Sequence, residues 1–269
     1  MTKFREERLE EISEITHPPL LESIFELRWE IENHAQSGRM RDPSYPMMYG
    51  SLYERLRKDL PLLEDLPSSQ AHPESTPYVP RHRMRREKDA YPLMQVGPGI
   101  LTINMAKEYS WESFSSLIMR VISSVIELYP SGSIPLNLIK AELRYVNGVR
   151  FDIARDHPLQ FLEDKLHIKM DVDGEFFKAN ALNDRPNALG LNLSYVLDKP
   201  VGNLSISTHL GQFDAKPAFI QQILVQSFSE LVPSEMESFS LWLEEAHSAI
   251  KHAFFALCRG PLMEKFCAK

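Results

Sequence analysis

The stretch FELRWE at Phe25–Glu30 is nearly repeated as AELRYV at Ala141–Val146. In both stretches apolar side chains alternate with charged ones, so the two kinds fall on opposite sides of an extended chain. Alternation with a period of two is typical of a β-strand that is buried on one face only. We therefore predict that a strand opens the N-terminal half of the chain and that a second strand closes it.

The two stretches also predict how these strands pair. If the strands are antiparallel neighbours, Glu26 can lie opposite Arg144, and Arg28 can lie opposite Glu142. Each such pair of opposite charges contributes roughly 0.2–1 kcal/mol and helps to fix the register. The interpretation that we favour is pairing within the scaffold, and the alternative is a binding face that the two strands share.

The elements between the two stretches predict the fold class of this half. Apolar spacing predicts a helix over Met48–Leu60, a meander of three strands over residues 81–105, and a second helix that begins after Ser110. The order strand, helix, strands, helix, strand is the ferredoxin-like βαββαβ plan with one extra strand. Residues 61–80 are rich in proline and predict a long loop, of the kind that is often functional or mobile.

The second half of the sequence predicts an antiparallel sheet covered by a long C-terminal helix. Strands are predicted over residues 188–198, 202–213 and 219–230, and apolar residues form one continuous helical face over residues 236–257. We therefore predict an α+β protein with two domains. The first is a ferredoxin-like domain over residues 1–156, and the second is the sheet with its helix over residues 157–269.

Composition and charge argue against several classes of protein. Of the 269 residues, 43% are hydrophobic, and the net charge of −7 argues against a general attraction to nucleic acid or anionic lipid. No apolar run approaches the ~20 residues that span a bilayer, and the N-terminus lacks the apolar region of a secretory signal. Cys258 and Cys267 match no metal-ligand spacing and indicate a reducing compartment. We predict a cytoplasmic protein that does not bind membranes.

Several pieces of sequence occur in order over most of the chain, namely PLLESIFELRWE, MQVGPGILTIN followed by YSWESF, ELRYVNGV and AHSAIKHAF. With these pieces the sequence resembles a sporadically distributed family of uncharacterised bacterial proteins of about this length. The family has no established activity, so the resemblance implies no catalytic residues. A scattered distribution of this kind is like that of mobile or defence-linked genes, which implies an accessory role in such a system.

A run of basic residues is the strongest functional lead in the sequence, which has no P-loop, GxGxxG, GxSxG, HExxH or CxxC motif. In a strand over residues 81–87, alternation places three arginines on one face, and two further basic residues follow; the five are Arg81, Arg83, Arg85, Arg86 and Lys88. Guanidinium groups spaced by about 6.8 Å could follow phosphates or bind an acidic partner. The alternative that we favour is a charged edge strand that prevents sheet-to-sheet aggregation.

His247 is the second candidate, because it lies beside the apolar face of the last predicted helix and belongs to the family resemblance. Histidine can titrate near neutral pH, bind a metal ion or orient a neighbour. Glu244 precedes it by three residues, a spacing that suits a hydrogen bond. We favour a packed histidine whose hydrogen bonds are satisfied. The alternatives are a binding role and a hydrolase site built from His247 and Glu244.

These observations favour a non-enzymatic interaction or accessory protein of bacterial origin, linked to a defence or mobile-element system. We expect a protein partner, no cofactor and no metal ion. The alternative is a nucleic-acid-binding accessory protein that uses the basic strand 81–88. Self-association is left open, and an enzymatic role is the less favoured interpretation.

Overall fold

Eleven strands and six α-helices make up the part of the chain that the computed structural model describes, which is residue 15 and residues 18–34, 39–130, 135–152 and 155–267. The strands are β1 (Leu20–Trp29), β2 (Glu32–His34), β3 (Arg39–Arg41), β4 (Leu62–Asp65), β5 (His82–Arg85), β6 (Leu93–Gly97), β7 (Ile100–Met105), β8 (Leu138–Arg150), β9 (Gly190–Asp198), β10 (Val201–Phe213) and β11 (Lys216–Phe228). The helices are α1 (Tyr45–Leu56), α2 (Trp111–Leu128), α3 (Pro158–Leu166), α4 (Gly174–Ala179), α5 (Met236–Cys258) and α6 (Pro261–Cys267).

Nine of these strands form a single antiparallel sheet in the order β4-β5-β6-β7-β1-β8-β11-β10-β9, while β2 and β3 form a separate hairpin. Helix α5 packs on β8 and β11, and α2 contacts both α1 and α5. The alternate residues Phe25, Leu27 and Trp29 of β1 are fully buried, and Phe25 meets Phe239 of α5 edge-to-face. The core therefore lies between this face of the sheet and the helices. The predicted α+β class, the antiparallel sheet and the long C-terminal helix are confirmed.

β1 and β8 are antiparallel neighbours, as the repeated Glu-Leu-Arg predicts, but the predicted register is wrong by two residues. Glu26 lies opposite Glu142, and Arg28 lies opposite Lys140. A shift of two residues keeps every side chain on its own face of the sheet, so alternation alone cannot distinguish the two registers. The observed register pairs the fully buried Phe25 with the fully buried Leu143, and Lys140 of β8 contacts both Glu26 and Glu142.

Residues 61–80 are more ordered than the predicted long loop. They contain β4, which pairs with β5 along its full length, and two short 3₁₀ helices over Pro67–Gln70 and Pro73–Ser75. Pro61 and Pro67 stand just outside β4, where a proline removes no ladder hydrogen bond. The prolines therefore delimit a strand that the sequence analysis missed.

The two halves of the chain share the sheet. β11 pairs with β8 from Ala218 opposite Arg150 to Phe228 opposite Lys140. The predicted boundary between residues 156 and 157 falls in the connection between β8 and α3, and the sheet continues across it. The three predicted strands of the second half are confirmed as β9, β10 and β11.

None of the described helices combines the length and the apolar character that a membrane span requires. The sequence predicts that the N-terminal segment is not a secretory signal, and that segment lies outside the described residues except for Ile15.

Candidate functional site

The basic strand lies inside the sheet, so the predicted position at an edge is wrong: β5 is flanked by β4 and β6. Arg81, directly before β5, is only 5% exposed. Its guanidinium donates to the carbonyl oxygens of Ser69 (2.6 Å) and Ala71 (2.7 Å) and to the hydroxyl of Thr76 (3.1 Å). Arg81 thus fastens the segment between β4 and β5 to the sheet, and its hydrogen bonds leave little capacity for a ligand.

The remaining basic residues differ in how far other groups of the protein accept their hydrogen bonds and balance their charge. Arg85 is buried, and its Nε donates to Glu64 at 2.7 Å. Arg83 is 28% exposed and lies 3.8 Å from the same carboxylate, and no described group accepts a hydrogen bond from its Nε. Arg86 and Lys88 are exposed on the turn after the strand. Alternation does place the first three arginines on one face, but Arg81 and Arg85 are buried and only Arg83 is partly exposed there, with its Nε buried.

The face of the sheet opposite α5 is polar along almost its whole width. One row of cross-strand neighbours runs through all nine strands, and its members are Glu64, Arg83, Gln95, Thr102, Glu26, Glu142, Gln226, Asn203 and Val196. Eight of the nine are polar or charged, which is the composition of a sheet face that contacts solvent. This face is called the open face below.

Lysine and arginine neutralise the two carboxylates at the centre of the open face. Lys140 lies 2.8 Å from Glu26 and 2.7 Å from Glu142, while Arg28 pairs with Glu26 and Arg144 pairs with Glu142. Burial opposes ionisation of Glu26, but the hydrogen bonds and charges of Lys140 and Arg28 hold the pKa of its carboxyl below the ordinary value. Both glutamates therefore have cationic partners within the sheet, which favours a structural role over acid–base chemistry.

His247 belongs to a chain of hydrogen bonds beneath α5, not to the predicted pair with Glu244. Its Nδ1 lies 2.6 Å from the hydroxyl of Tyr145, which lies 2.6 Å from the hydroxyl of Tyr109. The indole ring of Trp111 stacks on the imidazole at 3.9 Å and donates its N–H to Glu244 at 3.0 Å. His247 and Glu244 therefore do not bond to each other as predicted. His247 bonds to Tyr145 instead, and Glu244 accepts from Trp111. Sequence analysis missed Tyr109, Trp111 and Tyr145 because they are distant from His247 along the chain.

The protonation states in this cluster suit packing better than catalysis. Burial, together with the charge of Lys251, lowers the pKa of His247 to about 4. Burial raises the pKa of Tyr109 to about 12 and holds that of Tyr145 well above its usual value. At neutral pH the imidazole is therefore neutral, its Nδ1 shares a hydrogen bond with the hydroxyl of Tyr145, and both phenols keep their protons. His247, Tyr109 and Tyr145 therefore keep their charge near neutral pH, unlike a general acid or base.

Lowering the pH from 7 to 4 should destabilise the fold through His247. The pKa of an unfolded histidine is about 6.5 and that of folded His247 is about 4, so between these values the unfolded state binds more protons. The contribution is complete above about pH 6.5 and is lost as the pH falls, by up to roughly 3 kcal/mol. Urea unfolding at a series of pH values measures this loss. His247→Asn keeps an acceptor and cannot titrate, so its free energy of unfolding should change less steeply with pH than that of the wild type. Equal slopes for the two proteins would contradict the lowered pKa of His247.

The two edges of the sheet are built differently. β4 has only four residues, and Glu64 and Asp65 account for half of them. β9 has nine residues, contains neither lysine nor proline, and pairs with β10 without a register shift. Short length, charge, proline and bulges are the usual devices that protect an edge from pairing with another chain. β4 has two of these devices, whereas β9 has a single charged residue, Asp198, at its end.

The outer side of β9 presents a regular set of unpaired backbone groups. Leu210 donates its backbone N–H to the carbonyl of Leu189, and the register between β9 and β10 stays constant from this pair onward. Because backbone groups alternate in direction along an antiparallel strand, odd-numbered residues of β9 bond to β10 and even-numbered residues point outward. The outward-pointing residues are Gly190, Asn192, Ser194, Val196 and Asp198. Each of them can donate an N–H and accept at a carbonyl, and no described strand pairs with them.

Apolar side chains accompany these outward backbone groups. Val196 is 85% exposed and Tyr195 is 52% exposed, and Val201 at the start of β10 is 55% exposed. The sequence predicted this strand but not its position in the sheet. No signal in the sequence identifies the edge, because a strand without lysine or proline is equally compatible with a central position in the sheet.

No family model matches this chain, and no curated protein matches it. Among the described residues, no three His, Cys, Asp or Glu side chains lie close enough together to hold a metal ion. The resemblance to a family of bacterial proteins therefore stays a prediction.

Proposed function

We propose that this chain is a non-enzymatic interaction protein that binds a polypeptide as an additional strand at β9. The observation that supports the proposal is the outer edge of β9, where the five outward-pointing residues pair with no described strand and no lysine, proline or bulge within β9 prevents pairing. Strand addition obtains its affinity from main-chain hydrogen bonds and its specificity from alternate side chains. A nine-residue strand is long enough to supply both.

The side chains of β9 indicate the chemistry of the partner strand. On the helix side, the strand presents Leu191, Leu193, Tyr195 and Leu197, and on the open face it presents Asn192, Ser194 and Val196. A matching partner is an extended segment with apolar residues at alternate positions and uncharged residues between them. Such a segment would cover the side chain of Tyr195, which is half exposed without a partner strand.

Replacing Ser194 with proline should abolish binding of such a partner without unfolding the protein. The N–H of Ser194 points outward, so proline removes a donor that β10 does not use. The measurement is affinity capture from the native host with wild type, Ser194→Pro and Ser194→Thr as baits, because threonine keeps the N–H and the hydroxyl. We expect the same partner on wild type and on Ser194→Thr, and its loss on Ser194→Pro.

A second variant in β9 tests the proposal independently, in case Ser194→Pro does not fold. Val196→Lys places a charge at the most exposed apolar position of β9 and keeps every backbone donor. Thermal unfolding of each variant establishes that it is folded. A partner that binds equally well to wild type, Ser194→Pro and Val196→Lys would refute strand addition.

Nucleic-acid binding by the basic strand is the second candidate function, and the partial exposure of the Arg83 side chain (28%) is the observation that favours it. Exposed Arg86 and Lys88 lie close to Arg83 along the chain. In the same capture experiment, Ser194→Pro would leave the binding of a nucleic-acid partner unchanged. It would be lost on replacing Arg83, Arg86 and Lys88 together by serine, and its affinity would fall steeply with salt.

Further parts of the proposal concern the scaffold and its setting. The neighbouring order β6-β7-β1-β8, with α1 and α2 as the two helical connections, supports a ferredoxin-like N-terminal unit that β4 and β5 extend. A cytoplasmic location and an accessory role in a bacterial defence or mobile-element system, which the family resemblance implies, stay predictions.

A further inference from the structure

We infer that the strand added at β9 is β9 of a second copy of this chain, in antiparallel register about a two-fold axis at Ser194. This inference rests on the proposed function and names the partner. It follows from two properties of the strand, namely the direction of its backbone groups and the order of its side chains.

The backbone groups are complementary under this two-fold axis. Antiparallel pairing about Ser194 places Ser194 opposite itself, Asn192 opposite Val196 of the second copy, and Gly190 opposite Asp198. All of these residues point their N–H and C=O groups outward, so each pair can exchange two hydrogen bonds. The pairing would form about ten hydrogen bonds and leave no outward group of β9 unpaired.

The side chains are complementary under the same axis. On the helix side, Leu191 meets Leu197 of the second copy and Leu193 meets Tyr195, so apolar side chains lie opposite apolar ones. Cross-strand pairs of this kind stabilise a sheet. The only charged residue of β9, Asp198, meets a glycine, and therefore no like charges face each other. A two-fold axis at Asn192 or Val196 would leave the far end of each strand unpaired, which makes Ser194 the favoured centre.

The expected affinity is modest. A single strand pair buries less area than the ~1,600 Å² of a standard stable interface, so a dissociation constant on the order of micromolar is expected. Self-association should therefore depend on concentration over the range in which purified proteins are usually handled. The two sheets would then continue into each other across the axis.

Disulfide trapping in a Cys267→Ser background tests both the dimer and its register. Residues opposite each other in an antiparallel hydrogen-bonded pair have Cα atoms about 5.5 Å apart, which a disulfide can span. Ser194→Cys should therefore cross-link to itself under mild oxidation. Asn192→Cys and Val196→Cys should each fail to cross-link alone, but an equimolar mixture of the two should yield a disulfide-linked heterodimer, detected by non-reducing electrophoresis and intact mass.

Each outcome supports or overturns the inference. Light scattering of the native protein at about 100 micromolar should give the mass of a dimer, and Val196→Lys should give that of a monomer. A native protein that stays monomeric and does not cross-link through Ser194→Cys would overturn the inference. Equal cross-linking of all three single-cysteine variants would overturn the register. A monomer that still captures another protein through β9 would overturn only the choice of a second copy and leave strand addition intact.

Discussion

Replacing Asp42 with alanine should lower the free energy of unfolding by about 3–5 kcal/mol. The carboxylate of Asp42 is 7% exposed and accepts four hydrogen bonds. One oxygen accepts from the indole of Trp29 and from the backbone N–H of Gly99, both at 2.9 Å. The other accepts from the N–H groups of Ser44 and Tyr45 at the start of α1. Alanine would leave the two donors in the core unpaired, at roughly 1–3 kcal/mol each, and would remove the acceptor of the two N–H groups at the start of α1.

Two further variants separate this effect from the loss of a carboxylate in general. Asp42→Asn keeps one oxygen acceptor, so we expect about half of the destabilisation. Asp65→Ala removes a carboxylate that is largely exposed and bonds only to His82 among the described residues, and its cost should stay below about 1 kcal/mol. Guanidinium unfolding of the three variants measures the differences. An Asp42→Ala protein as stable as Asp65→Ala would show that the buried carboxylate does not join β1, the β6–β7 turn and α1.

Local patterns in the sequence predicted the elements well, because the residues that define each element lie close together along the chain. Phe239 and Trp242 repeat at helical spacing, and they belong to a predicted helix that ends within one residue of the observed α5. The alternation in β1 gave the correct buried face. Partners that lie elsewhere in the chain decide the properties that sequence analysis got wrong. Two of the three acceptors of Arg81 are the backbone carbonyl groups of Ser69 and Ala71, and backbone groups leave no trace in the sequence.

The candidate site was predicted only in part for a related reason. Alternation identified β9 as a strand, but whether a strand is central or at an edge depends on which other strands pair with it. β9 becomes an edge because β11 pairs with β8 and places the β9–β10 hairpin outermost. In the same way, His247 was recognised, whereas its partners Tyr109 and Tyr145 become neighbours only when α5 packs on the sheet. Topology, not composition, creates both features.

The packing of α5 on the sheet depends on Phe239 more than on any exposed residue of the helix. Phe239 is fully buried, with its ring 6.1 Å from that of Phe25 in β1 and 5.9 Å from that of Trp242. The edge-to-face contact with Phe25 adds to the free energy gained by burial. The ring of Phe239 therefore joins α5 to β1.

Phe239→Ala should lower the free energy of unfolding by about 3–5 kcal/mol, because the lost ring leaves a cavity that the surrounding core fills only in part. The matched control is Leu241→Ala on the same helix. Leu241 is 60% exposed, so its truncation should change stability by no more than about 0.5 kcal/mol. Urea unfolding followed by circular dichroism compares the two variants. Equal midpoints would mean that α5 does not pack on the sheet through Phe239, and the position of the helical layer would have to be revised.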